Sequence, residues 1–350
     1  MDVSNEPKSR SRRRRAAWGV LSGAVVIVAL QLGFGAYAER NPKRKDPAYG
    51  DKLTKLKVRA NGEPLVVQIG SSRTLLGFHA GQVEAECPGV RAFNFGTPAS
   101  GPFANSIYLR RMLNEGIVPD LLLVELLPPA FAEYPDGPGE QSALTGERLS
   151  ERELDFVIRH GFPKDKSTAA WRESVCNPLY TLRFQLLGRV APSWLPWRLR
   201  FDWSRKTDPH GWVSPLQTFV TSDQRTERSA MAAGEYRENL AAMHPEASRP
   251  LDALAEMLDF SRERGIPTRL ILMPESPWFQ SLYPTGVYGR FRDTIQRIAR
   301  ERGSGVIDST DWLAEEEFYD GHHMFRAGAE KFTRRLTDEV IRPHLEGGPR

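Results

Sequence analysis

Beyond residue 53 the chain alternates short apolar runs with longer stretches of helical spacing. The runs LVVQI (Leu65–Ile69), RAFNF (Arg91–Phe95), DLLLVEL (Asp120–Leu126), TRLILM (Thr268–Met273) and GVIDS (Gly305–Ser309) have the length and composition of buried strands. A helical pattern follows each of the first two, and the third ends at Pro128-Pro129. Others are predicted near Thr226–Met243, Pro250–Arg264, Val287–Arg302 and Arg326–Ile341. Strands alternating with helices predict an α/β domain whose sheet is parallel and covered on both faces. The alternation lapses between about residues 130 and 220, where Pro, Trp and charge dominate. A loop of that length without structure is rare in a compact domain, so this stretch is expected to be an inserted helical subdomain or lid.

Ahead of the domain the pattern is different. Ala16–Ala38 (AAWGVLSGAVVIVALQLGFGAYA) contains no charged residue, and at about 1.5 Å per residue a helix of that length crosses a hydrocarbon core of roughly 30 Å. Ala36-Tyr37-Ala38 has the small-x-small form of a signal-peptidase site, which leaves cleavage open. The apolar run is longer than the roughly 7–15 residues of a signal peptide's central region, which favours an uncleaved anchor. The basic tail, residues 1–15, is expected in the cytoplasm and the body on the far side, at the inner or cytoplasmic membrane. On this reading residues 39–52 are a juxtamembrane linker and 53–345 the α/β domain. The formal charge of +4 is accounted for entirely by residues 1–15. The remainder is balanced, which argues against a nucleic-acid partner. Cys87 and Cys176 either pair or stay as two buried thiols.

In an open parallel sheet, ligands gather at the carboxyl ends of the strands. After the first strand comes Gly70-Ser71-Ser72-Arg73, where a serine at a strand-to-helix turn lies beside free backbone N–H groups; helix capping is the other use of such a serine. Asn94–Pro102 (NFGTPASGP) follows the second strand. After the last comes FYDGHHMF, in which Asp320 and His323 are spaced for a carboxylate to orient an imidazole that would serve as base for a hydroxyl nucleophile. Two surface histidines in a polar turn are the plain alternative. Asp320, His322 and His323 also form a conceivable metal set, but no HxH, HExxH or CxxC pattern supports one, and no metal or cofactor is expected. Glu275, Ser276 and Trp278, just past the fourth strand, are candidate pocket residues. Arg73 is a candidate for an anionic group, and Trp212 for stacking on a sugar ring.

Taken together, Gly70-Ser71-Ser72, the Asn94–Pro102 loop and Asp320-Gly321-His322-His323 before a helix resemble the motif blocks of the SGNH (GDSL-type) hydrolase superfamily. That resemblance implies a flavodoxin-like three-layer sandwich, Ser72 as nucleophile, His323 as base, Asp320 as its orienting carboxylate, and an oxyanion hole of backbone N–H groups from Ser72 with Gly96 or Ala99. The superfamily's oxyanion asparagine has no counterpart, because the third strand runs into Glu125-Leu126-Leu127-Pro128-Pro129. The anchor, the insertion and the absent asparagine are similar to the membrane-tethered branch that includes proteins of alginate acetylation and lipoteichoic-acid D-alanylation. This implies an extracytoplasmic esterase or O-acyltransferase acting on acyl groups of a cell-envelope polysaccharide or polymer, with a membrane-bound O-acyltransferase as a partner. An inactive polymer-binding or scaffold protein of the same fold is the alternative.

Overall fold

The computed structural model describes residues 7–59, 62–196, 206–215 and 219–347. Its centre is a five-stranded sheet of β1 (Leu65–Gly70), β2 (Arg91–Gly96), β3 (Leu121–Leu126), β4 (Thr268–Leu272) and β5 (Gly305–Asp308), within a residue of the five expected runs at each end. Every pairing is parallel and the order is β2-β1-β3-β4-β5, the flavodoxin-like doubly wound arrangement. Alternate residues serve opposite layers. Val67, Ile69, Leu122, Val124, Leu270 and Leu272 enter the larger core, while Val66, Leu121, Leu123 and Ile271 enter the smaller one. Each such side chain stabilises the fold by about 1.5–3 kcal/mol when fully buried.

The helices, in chain order, are α1 (Pro7–Arg40), α2 (Pro47–Arg59), α3 (Ser72–Gly77), α4 (Ala80–Glu86), α5 (Pro102–Asn114), α6 (Glu151–Arg159), α7 (Lys164–Cys176), α8 (Pro178–Thr181), α9 (Arg183–Val190), α10 (Ser222–Ala241), α11 (Arg249–Glu263), α12 (Val287–Glu301) and α13 (Arg326–Leu336). Tyr49 and Leu53 of α2, Ile107 of α5 and residues of α6, α11 and α12 fill the larger core; Phe78, Val83 of α4 and Phe332 of α13 fill the other. α1 is long and apolar enough to cross a membrane. Cys87 and Cys176 are free thiols, the first buried and the second exposed.

The expected linker at residues 39–52 is instead built into the fold. A short helix, Pro42–Lys45, leads directly into α2, and Lys45, Asp46, Tyr49 and Lys52 are buried. Asp46 accepts hydrogen bonds from Tyr108 Oη (3.0 Å), Arg148 Nη2 (3.0 Å) and Arg111 Nη1 (3.3 Å). Lys45 Nζ donates to Glu39 Oε2 (2.5 Å) and the Leu149 carbonyl (2.9 Å), and Lys52 Nζ to the Asn94 carbonyl (2.7 Å). Charges that read as solvated in the sequence are buried because each has a partner from a distant segment. Burial works to raise the Asp46 carboxyl, but Arg148 and Arg111 outweigh it and hold the group below the usual carboxylate range.

The insertion is helical, as expected, but α7 and α8 contact each other and α1, and α9 packs on α8. The carboxyl-end loops are reached by Glu140, whose carboxylate accepts from Gly101, Phe103 and Ala104 N–H (2.8, 3.0 and 2.8 Å), and by α10, which lies just outside the expected boundary and whose Arg225 Nη1 donates to the Glu315 carbonyl. Asp46→Ala should lower the stability of the full chain in detergent by about 3 kcal/mol, the cost of leaving the Arg148 guanidinium without its carboxylate while Arg111 keeps Glu153 (2.7 and 2.8 Å); a thermal melt unchanged from the parent would refute this account of the junction.

Candidate active site

Ser71 and Ser72 sit at the β1–α3 turn and divide the work between them. Ser71 is the N-cap of α3, its Oγ accepting from Arg73 N–H (3.2 Å), while Ser72 opens the first turn with its side chain free of capping. Ser72 Oγ lies 2.8 Å from His323 Nε2. On the other side of the ring, His323 Nδ1 is 2.7 Å from Asp320 Oδ2, and Asp320 Oδ1 accepts the backbone N–H groups of His323 (2.8 Å) and His322 (3.2 Å). The hydroxyl, imidazole and carboxylate therefore form one continuous chain, joined across 251 residues of sequence.

Burial works to raise the Asp320 carboxyl, but the charge and hydrogen bond of His323 carry it well below the ordinary range. It is thus an anion whenever the imidazole is called upon to accept a proton. His322 is packed against Phe279 and Tyr236 with ring centroids 5.0 Å from each. Its pKa is pushed far down, first by burial and then by His323, so it is a neutral packing ring. The turn that carries both histidines depends on Gly321 at φ +89°, where an added Cβ would lie 2.9 Å from Trp278 Cε3 and 3.1 Å from Ser276 Oγ. Asp320, His322 and His323 offer atoms within 4.8 Å of one another that could ligate a metal, yet both nitrogens of His323 are engaged by Ser72 and Asp320. The set fits a proton relay better than a cation.

Beneath Ser72 is a network centred on Glu125, in the place where an oxyanion asparagine was sought. Its carboxylate accepts from Ser71 Oγ (2.6 Å), Ser71 N–H (2.8 Å), Thr74 N–H (3.0 Å) and Thr74 Oγ1 (2.5 Å). A carboxylate at the start of α3 satisfies the turn's orphan donors and complements the positive end of the helix. Asn94 fastens the same helix to β2, donating from Nδ2 to the carbonyls of Thr74 and Phe78, both at 2.7 Å.

Four expected binding residues support the site from below instead of lining it. Arg73 is fully buried, donating to Glu275 Oε1 (2.8 Å) and to the Met273 carbonyl (2.8 Å), so it has no face for an anionic ligand. Glu275 is spent on Arg73 and on Tyr283 Oη (3.0 Å). Burial raises the Glu275 carboxyl, with Arg73 opposing. Ser276, also buried, caps the one-turn helix Pro277–Gln280 by accepting from Phe279 N–H (3.1 Å). Trp212 lies flat on His79 with centroids 3.8 Å apart and donates to the Leu76 carbonyl (2.8 Å), which removes it as a sugar platform.

Of the expected oxyanion donors, Gly96 N–H is already given to Asn94 Oδ1 (2.9 Å). The glycine serves packing: a Cβ there would meet the Leu75 backbone N at 2.3 Å. Ala99 is exposed at φ 59°, a strained value for a residue with a side chain. Its loop is docked on β1 through Thr97 N–H to the Gly70 carbonyl (2.8 Å). Among the described residues neither Ser72 N–H nor Ala99 N–H has an acceptor. Tyr236, Asn94 and the capping function of Glu125 escaped the sequence reading. The available signal was polar residues inside otherwise apolar strands, Asn94 in RAFNF and Glu125 in LLLVEL.

A protein-family model matches residues 222–345, a segment that contains Asp320 and His323 but not Ser72. No curated protein sequence is significantly similar to the chain. Among solved structures, the chain is similar to a catalytic mutant of an acetylxylan esterase from Geobacillus stearothermophilus, with 11% identity over 80% of this chain and 95% of that one and a TM-score of 0.37. It is also similar to an alpha/beta hydrolase enzyme from the metagenome of Lake Arreo, Spain, with 12% identity over 80% and 95% of the two chains and a TM-score of 0.33.

Two outcomes follow from this geometry. Because the Asp320 carboxyl is depressed in the folded state, it contributes stability that is present above the ordinary carboxylate range and is lost as pH falls toward its folded value. On acidification below about pH 4 the parent should therefore lose more stability than Asp320→Asn, as read from paired thermal melts. Gly321→Ala should displace the histidine turn and slow any reaction of Ser72 by at least about tenfold while the protein stays folded, measured by circular dichroism alongside rates.

Proposed function

We propose that the protein is a serine-dependent esterase or O-acyltransferase that works through an acyl-serine intermediate. The observation that carries this is the unbroken sequence Ser72 Oγ, His323 Nε2, His323 Nδ1, Asp320 Oδ2, with contacts of 2.8 and 2.7 Å. A serine hydroxyl is a poor nucleophile until a base takes its proton, and His323 is placed to do so with its tautomer set by Asp320. Ser72 Oγ attacks the carbonyl carbon of the ester, its proton passing to Nε2. The tetrahedral oxyanion is held by the N–H groups of Ser72 and Ala99. Collapse breaks the bond to the leaving alcohol, which takes the proton from Nε2 and leaves the acyl group on Ser72. Water, or a second hydroxyl in the transfer reaction, repeats the sequence in reverse.

The residues Gly70-Ser71-Ser72 and Asp320-Gly321-His322-His323, with α1 ahead of them, support placement in the membrane-tethered SGNH-like branch. The substrates on that reading are acetyl-like esters of a cell-envelope polysaccharide or polymer on the non-cytoplasmic side of the membrane, with a membrane-bound O-acyltransferase as acyl donor or acceptor. On this reading the oxyanion hole consists of the backbone N–H groups of Ser72 and Ala99 alone, with no counterpart of the superfamily's asparagine.

The test is covalent labelling of the full chain in detergent with a fluorophosphonate probe. The parent should label, and Ser72→Ala and His323→Ala should reduce the labelling rate by at least about a thousandfold. Folded parent protein that does not label would overturn the catalytic reading and leave a polymer-binding role in its place.

A further inference from the structure

α7 and α8 pack against the apolar part of α1. Gln31 lies seven residues before the end of the apolar run, about 10 Å inside it along the helix, and a polar amide there is costly unless its hydrogen-bonding groups are met. They are met from the insertion. Gln31 Nε2 donates to Asn177 Oδ1 (3.0 Å), and Leu179 N–H donates to Gln31 Oε1 (3.1 Å). One turn further on, Gly35 allows direct backbone contact: a Cβ there would lie 1.9 Å from the Val175 carbonyl oxygen. The junction of α7 and α8 is therefore pressed against the anchor within the apolar span, not beyond its end.

The surface this segment turns outward matches that depth. Leu179, Tyr180, Leu186, Val190 and Trp194 are 43, 55, 39, 87 and 78% exposed, a large share of the exposed apolar side chains outside α1. From Pro178 to Phe201 the sequence has no acidic residue. Arg183 lies over the rings of Tyr180 (3.9 Å) and Phe184 (4.3 Å), its charge held beside the apolar surface. A cavity of about 140 Å³ separates Phe34 and Tyr37 of α1 from Leu182 and Leu186, with Arg44 and Arg189 also lining it. Apolar and aromatic residues interleaved with arginine, free of acid and continuous with a spanning helix, are the composition of a segment that rests in the headgroup and acyl boundary.

We propose that Pro178–Trp194 is a monotopic membrane segment that inserts into the bilayer leaflet on the domain's side, alongside α1. The occupant of its exposed apolar face is the lipid bilayer itself. The inference rests on the reading that α1 crosses a membrane and is independent of the triad chemistry. Its consequence is that the domain is held to the membrane at two places, so it is not free to swivel about a tether.

The test uses the full chain in a Cys87→Ser, Cys176→Ser background, reconstituted into vesicles of phosphatidylethanolamine and phosphatidylglycerol. An environment-sensitive fluorophore is attached at Val190→Cys, at Leu186→Cys, or at Glu227→Cys on the exposed face of α10 as a solvent reference. The labels at 190 and 186 should be quenched several-fold more by lipid carrying a shallow acyl-chain nitroxide than the label at 227, and several-fold less by aqueous iodide. Two insertion sites keep the result readable should one variant fail to fold. Iodide quenching at 190 and 186 equal to that at 227, with no nitroxide quenching, would overturn the proposal whether or not Ser72 reacts with fluorophosphonate.

Discussion

The buried guanidinium of Arg73 is the constraint around which the candidate site is organised. Removing a charge from water costs several kcal/mol, and here it is offset by Glu275 at 2.8 Å, Glu125 at 3.9 Å and two main-chain carbonyls. Those partners come from the ends of β3 and β4, so meeting the demands of one side chain ties three strand ends together. Ser72 stands between Arg73 and Ser71, both of them fixed, and its own side chain is left for His323. The tie continues into the histidine turn: Glu275 N–H donates to the Thr310 carbonyl (3.1 Å) and Ser276 N–H to the Gly321 carbonyl (2.9 Å). Ser72 and His323 thus meet at 2.8 Å because both loops hang from one buried ionic framework.

A second framework of the same kind joins α1 to the domain. Asp46 with Arg111 and Arg148, Lys45 with Glu39, and Lys52 with Asn94 convert a stretch of alternating charge into packed structure. The buried ion pairs among these contribute little net stability over apolar packing but are costly to break singly, which suits them to specifying one geometry. The packing of α7 and α8 on α1 through Gln31 and Gly35 extends the same junction along that helix. Domain and apolar helix form one body, and the orientation of the triad relative to α1 is set by it.

The sheet was legible in the sequence because a parallel strand covered on both faces must be continuously apolar, and five such runs separated by helical spacing admit few other folds. Ser72, Asp320 and His323 were legible because each follows a strand and belongs to a residue type whose chemistry needs the others. Residues whose function is support were misread in a consistent way. Arg73, Glu275, Ser276 and Trp212 look like ligand-binding groups when taken singly, and Lys45, Asp46 and Lys52 look solvated. Only the partners, lying between 42 and 202 residues away for Lys52 to Asn94 and Arg73 to Glu275, make burial affordable.

What the sequence determined by itself was local: the periodicity of strands and helices, the apolar span, and the order of serine, aspartate and histidine. What the tertiary structure decided was pairing. Hydrophobic periodicity is written in neighbouring residues, whereas the cost of burying a charge or a polar group is settled by whichever distant segment meets it. Glu125 became a cap for the serine turn, Asn94 a clasp for α3, and Gln31 a polar group inside an apolar helix with its partners in α7 and α8, because folding brought a donor or acceptor to each.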